Sequence, residues 1–135
     1  MKRQSNMLPN VIKYVFDQNQ TYIEINVNTK HNYGDMETFK KLKTGVVASR
    51  ELLKALNVIS DQCEVLYLSS IPERNINIKE YMKKYNITKP RELRQHQQEN
   101  LNKYYKKLGF SLIDDDTRRN FVGKIDHLIK TIKEL

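Results

Sequence analysis

The chain has one cysteine, no tryptophan, four glycines and three prolines in 135 residues. A lone Cys63 excludes an intramolecular disulfide and leaves stability to the apolar core. Its setting in the run "CEVLYLSS" predicts a buried strand thiol. Scarce Gly and Pro argue against a loop-rich or linker-like protein. No apolar run approaches the roughly 18 residues of a membrane span. The opening "MKRQSNMLPN" is basic but has no apolar segment, so no signal peptide is expected. These absences predict a soluble, cytoplasmic protein in a reducing compartment. Abundant Lys, Asn, Ile and Tyr fit an AT-rich genome, such as that of a virus or mobile element.

Strong catalytic motifs are also missing. There is no P-loop, no dinucleotide-binding glycine fingerprint and no nucleophile elbow. His31, His96 and His127 are scattered without a second ligand at metal spacing, so no metal site is expected. Asp17, Glu24, Asp35 and Glu37, with Lys30, Lys40 and Lys41 in reach, are the residue types of a metal-dependent nuclease. Their spacing fits structural roles better: Asp35 as a helix cap, Asp17 as a turn residue and Glu24 on a strand surface.

What the chain does carry is positive charge in one place. Between Arg74 and Lys107 ten Lys or Arg face three Glu (Glu80, Glu92, Glu99), a net of +7 out of a total of +8. Such concentration predicts an anionic partner.

Two alternating runs, 11–17 "VIKYVFD" and 21–27 "TYIEINV", read as a hairpin. Phe39, Leu42, Val46, Leu53 and Leu56 predict a helix over 35–57, interrupted at Gly45. The run 64–69 "EVLYLS" predicts a buried strand, ended by Ile71-Pro72. Residues 77–85 then read as a helix and "NITKP" as a break. Thr88 or Lys89 would cap a long helix with Pro90 in its first turn and the stripe Leu93, Gln97, Leu101, Tyr104, Leu108. "FSLI" reads as a short strand, and Asp114, Asp115 and Asp116 precede a last helix with the stripe Phe121, Ile125, Leu128, Ile132, Leu135. The expected fold class is α+β. A small sheet (hairpin 11–27 plus strand 64–69) packs on helices within one domain, 1–135. Its 1–70 half is ββαβ and its 71–135 half is basic and helical.

The leading functional reading is a non-enzymatic nucleic-acid-binding regulator or accessory protein, using the helix-break-helix segment 77–108. Lys83, Lys84, Lys89, Arg91, Arg94, Lys103, Lys106 and Lys107 would neutralise phosphates, and Gln95, Gln98 and Asn102 would read bases of DNA or RNA. This reading needs no catalytic residue, no cofactor and no membrane. An acidic protein is the alternative partner, which would make the chain an interaction module or an inhibitor of a nucleic-acid enzyme.

The stretch "NLNKYYKKLGF" has a structural reading of its own. Gly109 stands at a helix C′ position, Phe110 would pack back on Tyr105, and Lys106 and Lys107 meet the helix dipole favourably. The same residues, Tyr105-Lys-Lys-Leu-Gly109-Phe110 after a helix, resemble the fourth conserved stretch of the GNAT N-acetyltransferases. The ββαβαβ order is similar to part of that fold. The resemblance implies acetyl-CoA, with its pyrophosphate on backbone amides of a Gln/Arg-x-x-Gly-x-Gly/Ala loop. The nearest equivalent is "KLKTGVVAS", in which only Gly45 fits the pattern.

Overall fold

The computed structural model describes residues 2–5, 10–41, 46–113 and 119–135. The element order is β1 (Lys2–Ser5), β2 (Val11–Gln18), β3 (Thr21–Asn28), β4 (Tyr33–Lys41), α1 (Val46–Ile59), β5 (Val65–Leu68), α2 (Ile78–Lys84), α3 (Arg91–Leu108), β6 (Ser111–Leu112), β7 (Phe121–Lys124) and α4 (Ile125–Lys133). The fold is α+β, with one seven-stranded mixed sheet in the order β1-β2-β3-β4-β5-β7-β6. Neighbours run antiparallel except β4 and β5, which are parallel and joined through α1. A parallel pair needs such a crossover because no tight turn can connect it.

The expected 11–27 hairpin forms. Asn19 and Gln20 both take positive φ, 52° and 59°, as a two-residue turn between right-twisted strands demands. Inward residues Tyr14, Ile25, Met36, Leu68 and Phe121 succeed one another across β2, β3, β4, β5 and β7, so they share one sheet face. Leu52, Leu56 and Ile59 of α1, Tyr105 and Leu108 of α3, and Leu128 and Ile132 of α4 close over that face in a single core. Each fully buried Leu or Ile contributes roughly 1.5–3 kcal/mol relative to exposure. Cys63 belongs to this core but precedes β5 rather than lying in it. Its Sγ donates to the Ile59 carbonyl at 3.8 Å, and burial pushes the thiol up to about 11.

The sheet is larger than the expected three strands, and the largest correction falls on 35–57. Residues 33–41 are strand β4, and only the second part, from Val46, is helix. The cause is a bulge. Met36 pairs with Ile25 and Thr38 with Glu24, which leaves Glu37 as an extra residue. Inward positions therefore step from Met36 to Phe39, a helix-like interval inside a strand. Asp35 is thus a strand residue and caps nothing.

Two smaller boundaries also move. Pro90, not Thr88 or Lys89, is the N-cap of α3, and it makes no side-chain capping bond. Phe121 lies on β7 rather than on the last helix, which starts at Ile125; Leu135 is exposed. Asp114, Asp115 and Asp116 lie outside the described residues. Among the described residues no helix is long and apolar enough to cross a membrane.

Gly123 shows how tightly α4 seats. A Cβ there would stand 2.7 Å from Leu128 Cδ2 and 2.9 Å from Cγ, and Leu128 is fully buried. Gly123→Ala is expected to cost about 1–3 kcal/mol through overpacking. Urea denaturation should show a lowered midpoint with an unchanged slope.

Candidate functional site

The parallel pairing of β4 and β5 runs from Tyr33/Val65 to Met36/Leu68 and then stops. β4 continues to Lys41, while the chain after β5 turns away through Ser69, Ser70 and Ile71. Beyond Met36 no described strand pairs with β4 on its β5 side. The strands part around a cleft of about 820 Å³, lined by residues 35–40 of β4, Tyr67 and Leu68 of β5, Glu73, Arg74, Tyr105 of α3 and Arg119. Volumes of this order suit a small ligand. The cleft opens at the carboxyl ends of the two parallel strands, where ligands of α/β sheets gather.

One wall is fixed by an ion pair between residues 84 positions apart. Arg119 Nε lies 2.8 Å from Asp35 Oδ1, and Nη2 lies 2.9 Å from Oδ2, a bidentate fork. The guanidinium carbon stands 5.1 Å from the Tyr33 ring centre and 5.0 Å from that of Tyr67. Burial raises the Asp35 carboxyl above its ordinary range, and Arg119 draws it back part of the way.

The end of α3 supplies the floor. Gly109 is left-handed at φ 109°, and the Phe110 N–H donates to the Tyr105 carbonyl at 3.1 Å. That six-residue closure is the Schellman motif expected from the sequence. The Phe110 and Tyr105 rings meet edge to face at 5.8 Å. Burial pushes the Tyr105 hydroxyl up to about 12, with Tyr104 adding to the shift, and it pushes Tyr104 itself up to about 12. The Tyr104 hydroxyl is buried and finds no hydrogen-bond partner among the described residues. Lys41, the last residue of β4, lies over the Tyr104 ring at 3.3 Å. The ring face favours its charge. Burial outweighs that help and brings the amine down to about 8.

The basic segment lies elsewhere. Lys83 and Lys84 are exposed on α2 and Lys89 in the break; Arg91, Arg94, Gln95, Lys103, Lys106 and Lys107 are exposed along α3. Gln95 is tied to Glu99 at 3.1 Å, and Arg94 to the Gln97 side chain at 2.8 Å. Gln98 and Asn102 sit differently from the exposed, base-reading face expected of them. Gln98 Nε2 donates to the Ser70 carbonyl at 3.0 Å and to Asn102 Oδ1 at 2.8 Å, and Ser70 Oγ also donates to Asn102. Both amides hold the strap after β5 against α3.

Sequence reasoning passed over Arg119, which is remote in the chain from Asp35, and took Tyr104 as stripe alone. Among the described residues no group of three or more His, Cys, Asp or Glu is placed to hold a metal. No protein-family model, curated protein or solved structure matches the chain.

Lys41→Met keeps the apolar stem over Tyr104 and removes a half-buried charge. Below pH 8 the wild-type amine is charged in both folded and unfolded chains, so the burial cost is present in full. Between about 8 and the ordinary lysine value near 10.4 the unfolded chain binds more protons, and wild-type stability rises with pH. The variant should be more stable at pH 7 by under about 1 kcal/mol, given solvent screening. Denaturation at several pH values should show that advantage shrinking above pH 8.

Proposed function

We propose that the chain is a GNAT-type protein that binds an acyl-CoA and transfers the acyl group to an amine. One observation carries this reading: parallel strands β4 and β5 part directly over Tyr105, four residues before Gly109-Phe110. The open edge of β4 beyond Met36 offers backbone groups to an extended, amide-bearing arm, in the manner of an added strand. The loop that the resemblance assigns to the pyrophosphate, around Gly45, lies outside the described residues.

When bound, the coenzyme supplies a thioester whose carbonyl carbon an amine can attack. Tyr105, kept protonated by burial, can donate a hydrogen bond toward a departing thiolate. The cleft lining balances Asp35, Glu37 and Glu73 against Lys40, Arg74 and Arg119, which leaves room for both an anionic coenzyme and an amine.

Acetyl-CoA at about 100 times its dissociation constant should stabilise the fold by about 2.7 kcal/mol, visible as a melting-temperature rise on the order of 10 °C. Tyr105→Phe should keep that rise and lose tenfold or more in turnover with amine acceptors. A folded sample that shows no rise sinks the reading.

A second surface supports nucleic-acid binding, the reading that leads in the sequence. Among the described residues none of the ten cations between Arg74 and Lys107 forms an ion pair. No described carboxylate therefore competes with a phosphate for them. Charge reversal at Arg91 and Arg94 together should weaken binding to DNA or RNA strongly and flatten its salt dependence. Binding to an acidic protein that survives nuclease treatment would instead favour the protein-partner alternative.

A further inference from the structure

The short helix α2, on the path from β5 to α3, has no part in the core. α2 contains no buried residue. A helix of seven residues is not stable by itself in water. What seats it is an aromatic cluster. The Tyr81 and Tyr85 ring centres are 4.7 Å apart, Tyr85 and His96 of α3 are 4.6 Å apart, and the Tyr81 hydroxyl lies 2.8 Å from His96 Nδ1. Seating leaves Tyr85 37% exposed, at the C-terminal end of α2. Exposed Lys83, Lys84, Lys89 and Arg91 lie around it in the chain, and Lys84 Nζ stands 5.3 Å from its ring centre.

Cations alone would suit any polyanion. Cations around an accessible aromatic ring suit one whose repeat unit pairs a phosphate with a flat, apolar face. A duplex hides those faces inside its stack, whereas a single strand presents them. Stacking is also sequence-tolerant, which agrees with Gln98 and Asn102 being occupied by Ser70 rather than free to read base edges.

We propose that the α2–α3 hairpin is a docking surface for single-stranded nucleic acid, with Tyr85 as the stacking platform and Lys83, Lys84, Lys89 and Arg91 as phosphate contacts. The proposal rests on the nucleic-acid reading of the basic segment and is independent of the acyl-CoA cleft.

The chain has no tryptophan, so Tyr85→Trp introduces a single indole at the platform. Oligo(dT) and oligo(U) of about 20 nucleotides should quench its fluorescence at about 50 mM salt, and inorganic polyphosphate should not. By anisotropy of labelled oligonucleotides, Tyr85→Phe should bind like wild type, because stacking needs no hydroxyl. Tyr85→Leu should lose fivefold or more, and Tyr81→Leu, which loosens the same cluster but leaves the platform ring, should lose less. Reversing Lys83 and Lys84 to Glu should flatten the slope of log affinity against log salt by about 1.4, since each single-strand phosphate contact contributes about 0.7. A duplex that binds as tightly as a single strand overturns the proposal. So does Tyr85→Leu binding as tightly as wild type, or anisotropic binding without indole quenching; in those cases the basic segment still binds nucleic acid and only the platform is wrong. Binding of no oligonucleotide at all removes both the platform and the reading beneath it.

Discussion

Four paired positions between β4 and β5 govern the rest of the molecule. They are the only parallel contact in the described sheet. Because the strands are parallel, the chain must cross over between them, and α1 is that crossover. Because the pairing ends at Met36 and Leu68, the two strands separate, and the space between them has to be lined by something other than a strand. α3 supplies the lining through Tyr105, and the cap at Gly109 sets where that helix stops. Extending the pairing by two or three residues would close the cleft. Removing it would detach the antiparallel half of the sheet from β7.

How much of this was legible depended on the range of the forces involved. Gly109 and Phe110 were readable because a helix cap is written in adjacent residues. The hairpin was readable because β2 and β3 alternate without interruption. β4 was misread because the bulge at Glu37 broke its alternation, and Met36 with Phe39 imitates the spacing of a helix face. Phe121 was misread for a related reason. It lies four residues before Ile125 and enters the same core, but from a strand that turns directly into a helix. The Asp35–Arg119 fork could not be seen, since nothing in either neighbourhood points to a partner 84 residues away. Gln98 and Asn102 have the composition of a base-reading face, and only the packing of the strap at Ser70 reveals their occupation.

α3 connects the two candidate surfaces. Its inner side carries Leu93, Gln97, Tyr105 and Leu108 into the fold, and its outer side carries Arg91, Arg94, Lys103, Lys106 and Lys107 to solvent. Between them Gln98 grips the strap that forms one rim of the cleft. Gln97, the residue before it, does the same, donating to the Glu73 carbonyl at 2.9 Å. A ligand that shifts the strap therefore pulls on the same helix that displays the cations. The two surfaces share one helix, and a tilt of α3 would be felt at both.

Burial of Cys63 has a practical side. Its thiol is 3% exposed and held well above the pH of ordinary labelling reactions. Thiolates, not thiols, attack maleimides and disulfides. To such reagents the folded chain behaves as though it had no cysteine. A cysteine introduced on the solvent side of α3 would be the fast-reacting thiol in the molecule, and a dye or spin label attached there would report from one address without removal of the native residue. Slow labelling of Cys63 itself would then serve as a clock for opening of the core, since the reagent can reach it only when the packing between α1 and β5 comes apart.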